Sequence, residues 1–294
     1  MLKAKDNCIT NAFSIDVEGF IESNRESFHV AAKYIDPARE NDEIRKNTDA
    51  CLELLEESGV KATFFVVGRI AYEIPEVVKK IATAGHEIGC HNYEHVRLFG
   101  TNKKEFTEKI SAAKAKLEDV SGQRVFGYRA PEFSITCKTL WAVDALKETG
   151  FIYDSSVYPV GMHDVYGIEN AEPVIHRFEN GLIEFPMATT VVLGKRIPFG
   201  GGGYFRLYPL WLTKHFLSKW NENKKACMFY MHPYEIGSEI PKIAELSAYR
   251  RFRHYYNCCK GRKRVSNLLN SASFAPTIEV LRNEGYIEEM IARK

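Results

Sequence analysis

The chain has 294 residues, a formal net charge of +2 and 45% hydrophobic residues. This composition is typical of a globular protein with a hydrophobic core, built as one large α/β domain or two small ones. The small net charge and the lack of a base-reading motif argue against nucleic acid as a partner. The basic run at residues 260–264 predicts a solvated helix face, with weak peripheral contact to anionic lipid or phosphate as the alternative.

Compartment and redox state follow from the N-terminus and the cysteines. Residues 1–8 contain no apolar segment of the signal-peptide type, and no stretch of the chain approaches the length of a membrane span. The seven cysteines are irregularly spaced and include no Cys-x-x-Cys pair, which favours reduced thiols over a disulfide framework or a zinc knuckle. We therefore expect a cytoplasmic protein, and nothing in its sequence specifies an oligomeric state.

Short apolar runs alternate with amphipathic helical patterns through the first half of the chain. Strands are predicted at residues 12–15, 62–67, 87–90, 125–128 and 151–154. Helices are predicted from Asn41 or Asp42 to Gly59, from Pro75 to Gly85, after a capping box at Asn102 and Glu105, and from Thr136 to Gly150. This alternation, with polar residues where strands end, predicts a parallel sheet or barrel with a site at its carboxyl edge.

The second half of the chain is less regular. Prolines and a glycine run within residues 156–206 predict long loops or β-hairpins, followed by a helix at 211–220 and a strand at 226–231 that ends at His232. We find no internal repeat and no linker. The chain is therefore predicted to be a single domain over residues 1–294, with a C-terminal extension at about 240–294.

His91 and His95 form the most informative motif. Two histidines four apart can turn their imidazoles toward one point, by stacking if the segment is one helical turn. Imidazole is a common metal ligand, although an isolated pair is more often surface or core. The segment also fits the His-x-x-Glu-His pattern of inverted zinc peptidases. Its neighbouring glycines and preceding strand argue against the long helix that those enzymes need.

Asp16 and Glu18 provide the carboxylates for such a site. They lie two apart at the end of a predicted strand, so both side chains point to the same face. Glu18 with His91 and His95 would form a set of two histidines and one carboxylate, which leaves positions open for water and substrate, as in catalytic zinc sites. Asp16 would then serve as the base. We expect a divalent ion, with Zn²⁺ first and Co²⁺, Ni²⁺ or Mn²⁺ as alternatives.

Three further residues could complete acid–base chemistry. Arg129 could lie beside Asp16 and keep it ionised. His232 could protonate a leaving amine while Asp154 holds its ring. Simpler interpretations remain for each: Asp16 and Glu18 could cap a helix, Arg129 could form a structural ion pair, and His232 could be a loop residue.

Taken together, these motifs resemble the polysaccharide deacetylase family, which is carbohydrate esterase family 4 with the NodB homology domain. The resemblance covers most of residues 11–235. It is strongest to the branch found in exopolysaccharide and O-antigen loci, and residues 252–255 also resemble that branch. The segments that carry it are residues 16–18, 62–68, 84–91, 128–134, 153–156, 201–206 and 229–235.

The resemblance implies a distorted, incomplete (β/α) barrel of about seven strands. It also implies a metal-dependent enzyme that removes the N-acetyl group from an amino sugar. By motif match, the base is Asp16, the metal histidines are His91 and His95, and the acid is His232. Arg129 matches the partner of the base, and Asp154 matches the partner of the acid.

Two departures from the family pattern concern the metal site. Val17 stands where the broad family has a second, metal-binding Asp, so the ligand role passes to Glu18, as the Asp-x-Glu of the branch suggests. Gly19 stands where the branch often has another acid. These departures leave open a site of lower affinity, a site for a different metal, or a site that is no longer catalytic.

The sequence therefore supports a metal-dependent N-deacetylase acting on an acetamido sugar in bacterial surface polysaccharide or glycan-precursor biosynthesis. The sugar could be nucleotide-linked, lipid-linked or oligomeric, and Tyr204, Arg206 and Tyr234 would line its cleft. One alternative is an amidase on a cyclic imide or ureide. Another is a non-catalytic carbohydrate-binding homologue with an altered metal site, although such a module needs no acid–base pair.

Overall fold

The computed structural model describes residues 9–28, 30–161, 166–237 and 240–288. The N-terminal residues 1–8, from which the absence of a signal peptide was inferred, lie outside the described residues. No helix in these described ranges is long and apolar enough to cross a membrane.

A curled sheet of mainly parallel strands forms the centre of the molecule. The strands are β1 (Thr10–Val17), β2 (Thr63–Val66), β3 (Glu87–Cys90), β4 (Gly127–Tyr128), β5 (Tyr153–Asp154), β6 (His176–Arg177), β7 (Ile183–Glu184), β8 (Thr189–Val192), β9 (Lys195–Pro198), β10 (Met228–Met231) and β11 (Ser273–Ala275). The spatial order is β10-β1-β2-β3-β4-β5-β7, all parallel, with β6 antiparallel at the edge of β7. The described residues thus confirm the predicted α/β half-barrel.

Helices follow most of the strands and cover the outer face of the sheet. They are α1 (Phe20–Phe28), α2 (Pro37–Glu57), α3 (Gly68–Glu73), α4 (Pro75–Thr83), α5 (Lys103–Ser121), α6 (Trp141–Glu148), α7 (Gly202–Leu207), α8 (Leu210–Glu222), α9 (Pro233–Ile236), α10 (Ala248–Tyr255), α11 (Gly261–Leu269) and α12 (Thr277–Asn283).

Local signals located several helix ends well but the starts of α2 and α6 poorly. Helix α6 begins at Trp141, five residues after the predicted cap Thr136. The side chain of Asn102 accepts a hydrogen bond from the backbone N–H of Glu105 at 3.0 Å, as predicted for the start of α5. The cap of α2, however, was predicted five to six residues too late. Its cap is Asp36, whose carboxylate accepts the backbone N–H of Arg39, and Pro37 is the first helical residue.

The two faces of the sheet carry different chemistry, because successive side chains along a strand point to opposite sides. Val17, Val66 and Cys90 pack in the core beneath the helices. Asp16, paired in register with Phe65, faces the inner side. At the end of β1, the carboxylate of Asp16 therefore points to the inner face of the sheet, while the neighbouring Val17 packs in the core on the outer face.

The C-terminal part of the chain packs closely against the sheet. Strand β11 lies parallel to the first residues of β1, α12 also contacts β1, and α11 packs against α9. The predicted boundary at about residue 240 stays a prediction. In the second half, the expected β-hairpin is present as β8–β9, and Gly201 immediately precedes α7.

Candidate active site

The candidate residues converge at the carboxyl edge of the sheet. Asp16 lies in β1 near its end and Glu18 follows that strand, while His91, Arg129 and His232 come directly after β3, β4 and β10. Parallel strands deliver their carboxyl ends to one edge, which is why residues far apart in sequence meet there. A cavity of about 490 Å³ opens at this edge, and its lining includes Asp16, Glu18, His91, His95, Tyr204, Arg206, His232 and Tyr234.

Glu18, His91 and His95 form a buried cluster of potential metal ligands. The Oε2 atom of Glu18 lies 2.7 Å from Nε2 of His95 and 3.1 Å from Nε2 of His91. The potential ligand atoms lie within 4.8 Å of one another. The spacing of the two histidines suggested that their imidazoles meet through a helical turn, but they do not. Asn92 has a positive φ of 64°, so a loop after β3 brings the rings together.

The hydrogen bond on the far side of His91 tests whether this cluster suits a cation. Its Nδ1 lies 2.8 Å from the carbonyl oxygen of Arg129. Because a carbonyl oxygen can only accept, Nδ1 carries the proton of this hydrogen bond, so Nε2 is the ring nitrogen that faces Glu18 and is available to the cluster. The donor set of two imidazoles and a carboxylate therefore fits a divalent metal.

The electrostatics of the cluster also favour positive charge beside Glu18. Burial by itself would raise the pKa of Glu18, but the charge of His95 and hydrogen bonds from His91 and His95 hold that pKa far below its usual range. Burial lowers the pKa of His95, yet the carboxylate of Glu18 outweighs burial and raises it to about 9. A cation bound between Glu18, His91 and His95 would likewise be stabilised by the negative charge of Glu18.

Asp16 and Arg129 form a buried ion pair beside this cluster. Nη1 of Arg129 donates to Oδ1 of Asp16 at 2.6 Å and to Oγ of Ser14 at 2.8 Å. Its Nε and Nη2 donate to the carbonyl oxygen and the hydroxyl of Ser155, and its guanidinium lies 4.2 Å from the ring centre of Phe65. The cation is thus fixed on every side, and it holds the Asp16 carboxylate in one orientation. No sequence signal pointed to Ser14 or Ser155.

His232 lies at the same cavity, with its ring held by Glu235. Nε2 of His232 lies 3.3 Å from Oε1 of Glu18, and Nδ1 lies 2.9 Å from Oε2 of Glu235. Burial by itself lowers the pKa of His232, but the carboxylates of Glu235 and Glu18 outweigh it and raise the pKa above its ordinary value. The His-Pro-Tyr-Glu spacing of residues 232–235, which is that of a capping box, was the signal that could have indicated this partner.

The prediction that Asp154 holds the ring of His232 is wrong. Asp154 is paired in register with Tyr128 and Glu184, so it lies on the face of the sheet opposite to Asp16. It accepts a hydrogen bond from Ser156, whose hydroxyl accepts the backbone N–H of Ala130. Burial raises its pKa to about 6. Asp154 therefore supports, from behind, the loop that carries Arg129.

The three predicted sugar-binding residues all line the cavity, and two of them are buried. Arg206 is buried; its Nε donates to Oε1 of Glu235 at 2.6 Å and its Nη1 donates to the carbonyl oxygen of His254 at 2.7 Å. Tyr234 is also buried and stacks on the ring of His232, with ring centres 4.9 Å apart. Tyr204 is only half-buried in the cavity wall. Arg206 is thus a positioning residue, and substrate contact by Tyr204 and Tyr234 stays a prediction.

A family model described as "Polysaccharide deacetylase" matches residues 37–151. Residues 37–151 thus belong to the polysaccharide deacetylase family. A second family model, described as "Domain of unknown function (DUF3473)", matches residues 155–282. The candidate site draws on both matched regions, because His91 and Arg129 lie in the first and His232 lies in the second, whereas Asp16 and Glu18 precede both.

Two curated relatives illustrate the similarity. The chain is 41% identical over 86 residues to a peptidoglycan-N-acetylglucosamine deacetylase from Bacillus cereus, which covers 29% of each protein. It is 30% identical over 152 residues to a peptidoglycan deacetylase from Helicobacter pylori, which covers 46% of this chain and 50% of the relative. The matched stretches thus span no more than half the length of these relatives.

Solved structures extend the likeness to nearly the whole chain. A putative polysaccharide deacetylase from Mycobacterium smegmatis superimposes with a TM-score of 0.65 at 20% identity, covering 96% of this chain and 92% of that one. A pseudoenzyme of carbohydrate esterase family 4 from Bacillus anthracis superimposes with a TM-score of 0.51 at 14% identity, covering 94% and 66%. At these identities the likeness concerns the fold, which an enzyme and a pseudoenzyme can share.

The space beside Gly19 is filled by the side chain of Glu40. A Cβ atom at this position would lie 2.3 Å from Oε1 of Glu40 in α2. That same carboxylate oxygen accepts the backbone N–H of Glu22 at 2.7 Å. A side chain at position 19 would therefore require Glu40 to move.

Proposed function

We propose that this chain is a metal-dependent N-deacetylase that hydrolyses the acetamido group of an amino sugar and releases acetate. One observation carries the proposal: a single cavity brings the ligand cluster of Glu18, His91 and His95 beside the buried Asp16–Arg129 ion pair and the imidazole of His232. This arrangement offers groups suited to the parts of metal ligand, base and acid in amide hydrolysis. The activities named for the curated relatives support the same reaction class.

Each residue has a distinct part in the proposed reaction. A divalent metal at Glu18, His91 and His95 would polarise the amide carbonyl and make a bound water more acidic. The carboxylate of Asp16 takes the proton of the attacking water, while Arg129 holds that carboxylate in one orientation. His232 gives a proton to the leaving nitrogen from Nε2, because Glu235 engages its Nδ1.

The identity of the metal and the biological setting are further parts of the proposal. We assign Zn²⁺ as the first choice of metal, since two imidazoles and one carboxylate are a common catalytic zinc set, with Co²⁺, Ni²⁺ and Mn²⁺ as alternatives. We place the reaction in the cytoplasm, in the assembly of bacterial exopolysaccharide, O-antigen or their precursors.

An acetate-release screen tests the proposal. Protein stripped of metal and protein reloaded with each metal are incubated with nucleotide-linked, lipid-linked and oligomeric acetamido sugars, with Asp16→Asn as the inactive control. We expect metal-dependent acetate release that the control lacks. Release of product only from cyclic imides or ureides would assign the amidase function instead. Full metal loading without turnover of any substrate would assign a non-catalytic homologue.

A further inference from the structure

The β8–β9 hairpin carries an exposed apolar tip. The side chains of Val191, Val192 and Leu193 are 59%, 38% and 98% exposed. Among the described residues, no other stretch exposes three large hydrophobic side chains in succession. Within the described sheets, the two strands of the hairpin pair only with each other. Neither core packing nor pairing with a further strand therefore explains why the tip is apolar.

The turn at the tip also conflicts with local conformational preference. Leu193 and Gly194 join Val192 to Lys195, and their φ angles are 49° and 75°. Positive φ at both positions is typical of a type I′ turn, in which the first position favours Asn, Asp or Gly, because a larger side chain is strained there. A leucine at this position costs stability and gains no burial within the chain. Its side chain is therefore a candidate for contact with something outside the fold.

The base of the hairpin is held firmly against α8. Nε1 of Trp220 donates to the carbonyl oxygen of Thr189 at 2.9 Å. Phe199, directly after β9, packs against Phe216 of α8 with ring centres 5.6 Å apart. Within the hairpin, Nη1 of Arg196 donates to Oγ1 of Thr189 at 3.3 Å. These contacts fix the direction of the two strands, so the apolar tip stands on a rigid support.

Positive charge is concentrated in the same part of the chain. Residues 185–225 contain seven Lys and Arg residues and a single acidic residue, Glu222, so this segment is net positive while the rest of the chain is net negative. Arg206 is buried, but Lys195 is exposed directly after the turn. Lys225 lies near the base of the hairpin, with its Nζ 6.0 Å from the ring centre of Trp220. A partner that meets this surface should therefore be negatively charged.

We propose that the β8–β9 hairpin docks this protein onto the surface of an anionic lipid bilayer. Val191, Val192 and Leu193 enter the headgroup region, while Lys195 meets the lipid phosphates. The step from Val191 to Leu193 spans roughly 7 Å, which matches the roughly 5–10 Å depth of interfacial elements. Pairing between β8 and β9 keeps the ladder hydrogen bonds satisfied at that depth.

The small size of the tip favours lipid over a protein partner. Three partly exposed side chains fall short of the roughly 1,000 Å² that a specific protein interface buries, whereas a lipid surface needs no complementary shape. The inference goes beyond the proposed function and does not depend on it, because binding to a bilayer requires no turnover. Its test is therefore independent of acetate release.

Vesicle co-sedimentation with matched variants tests the inference. The triple variant Val191→Thr/Val192→Thr/Leu193→Asn makes the tip polar, yet it keeps β-branched residues in the strand and creates a favourable Asn-Gly turn. Leu140→Asn is the control, because it makes the same change at another exposed leucine outside the hairpin. Wild type and control should bind vesicles made of equal amounts of phosphatidylglycerol and phosphatidylcholine. The triple variant should bind them about 100-fold more weakly, with thermal stability equal to or above that of wild type.

Lipid charge and self-association distinguish the possible occupants of the tip. Lys195→Gln should weaken binding to the same vesicles about fivefold, and wild type should bind vesicles of phosphatidylcholine alone more weakly. Equal binding by wild type and the triple variant, or no binding of wild type to the anionic vesicles, overturns the inference. A wild-type dimer that sediments without lipid and is absent from the triple variant also overturns it, because the tip would then dock a second copy of this chain.

Discussion

His232 and Glu235 are joined twice within one turn of the chain. Oε2 of Glu235 lies 2.9 Å from Nδ1 of His232 and also accepts the backbone N–H of His232 at 3.0 Å. The second carboxylate oxygen of Glu235 binds the guanidinium of Arg206 at 2.6 Å. The imidazole is therefore held in one direction, with its Nε2 toward Glu18 at 3.3 Å.

This relationship predicts that Glu235→Gln impairs turnover more than binding. The neutral amide keeps the shape of the side chain but weakens its hold on Nδ1, so kcat should fall by about 10–100-fold while KM and metal content change little. Steady-state kinetics and elemental analysis check this outcome. Asp154→Asn is the control, since its side chain lies on the other face of the sheet. The Asp154→Asn protein should show a smaller decrease in kcat than Glu235→Gln and a larger decrease in thermal stability. A larger decrease in kcat for Asp154→Asn would instead support Asp154 as the partner of His232.

Metal content should depend on the two clustered histidines. His91→Ala and His95→Ala each remove one of three ligands, so both proteins should retain far less than one equivalent of metal after dialysis. His86→Ala serves as a matched control, because His86 is also buried but lies at the entrance of β3, outside the cluster. Elemental analysis measures the content. One full equivalent of metal in the double variant His91→Ala/His95→Ala would disprove this assignment.

Asp16 and Glu18 should respond differently to loss of charge. Asp16→Asn keeps the side-chain shape, so the protein should retain its fold and most of its metal and lose about 100–10,000-fold in kcat. Glu18→Gln should lose metal instead, because it removes the carboxylate ligand. Circular dichroism, metal content and acetate release are measured on both. The opposite pattern, with metal lost from Asp16→Asn only, would exchange the two roles.

His86 should make the folded protein less stable in acid. Burial, with a smaller contribution from Lys61, lowers its pKa to about 4, and its Nδ1 accepts the backbone N–H of Ala62. As pH falls below about 6.5, the unfolded state takes up a proton that the folded state excludes, so the free energy of unfolding falls until about pH 4. The slope from this group is at most about 1.4 kcal/mol per pH unit.

Denaturant unfolding of wild type and His86→Gln between pH 4 and pH 7.5 measures this contribution. The variant should be less stable at neutral pH, because it loses the acceptor for Ala62, yet its stability should fall less steeply between pH 6.5 and pH 4. Parallel curves for the two proteins would show that His86 does not titrate in this window.

The secondary structure that depends on near neighbours was largely predictable from the sequence. Strand β3 lies at the predicted residues 87–90, and α5 begins after its Asn102 cap, because hydrophobic alternation and capping are decided within a few residues. The alternation of strands and helices also indicated the parallel sheet, whose carboxyl edge then brings Glu18, His91 and His95 together.

Only the tertiary structure decided how those side chains are held. Asp154 ends a strand as predicted, but the register of β5 with β4 turns it away from the cavity. The proton on His91 depends on the carbonyl of Arg129, 38 residues away, and the link from Arg206 to His254 spans 48 residues. The sequence next to His91 or Arg206 contains no information about these distant partners. Each contact forms only after strand register or the packing of α10 has brought the donor and the acceptor to hydrogen-bonding distance.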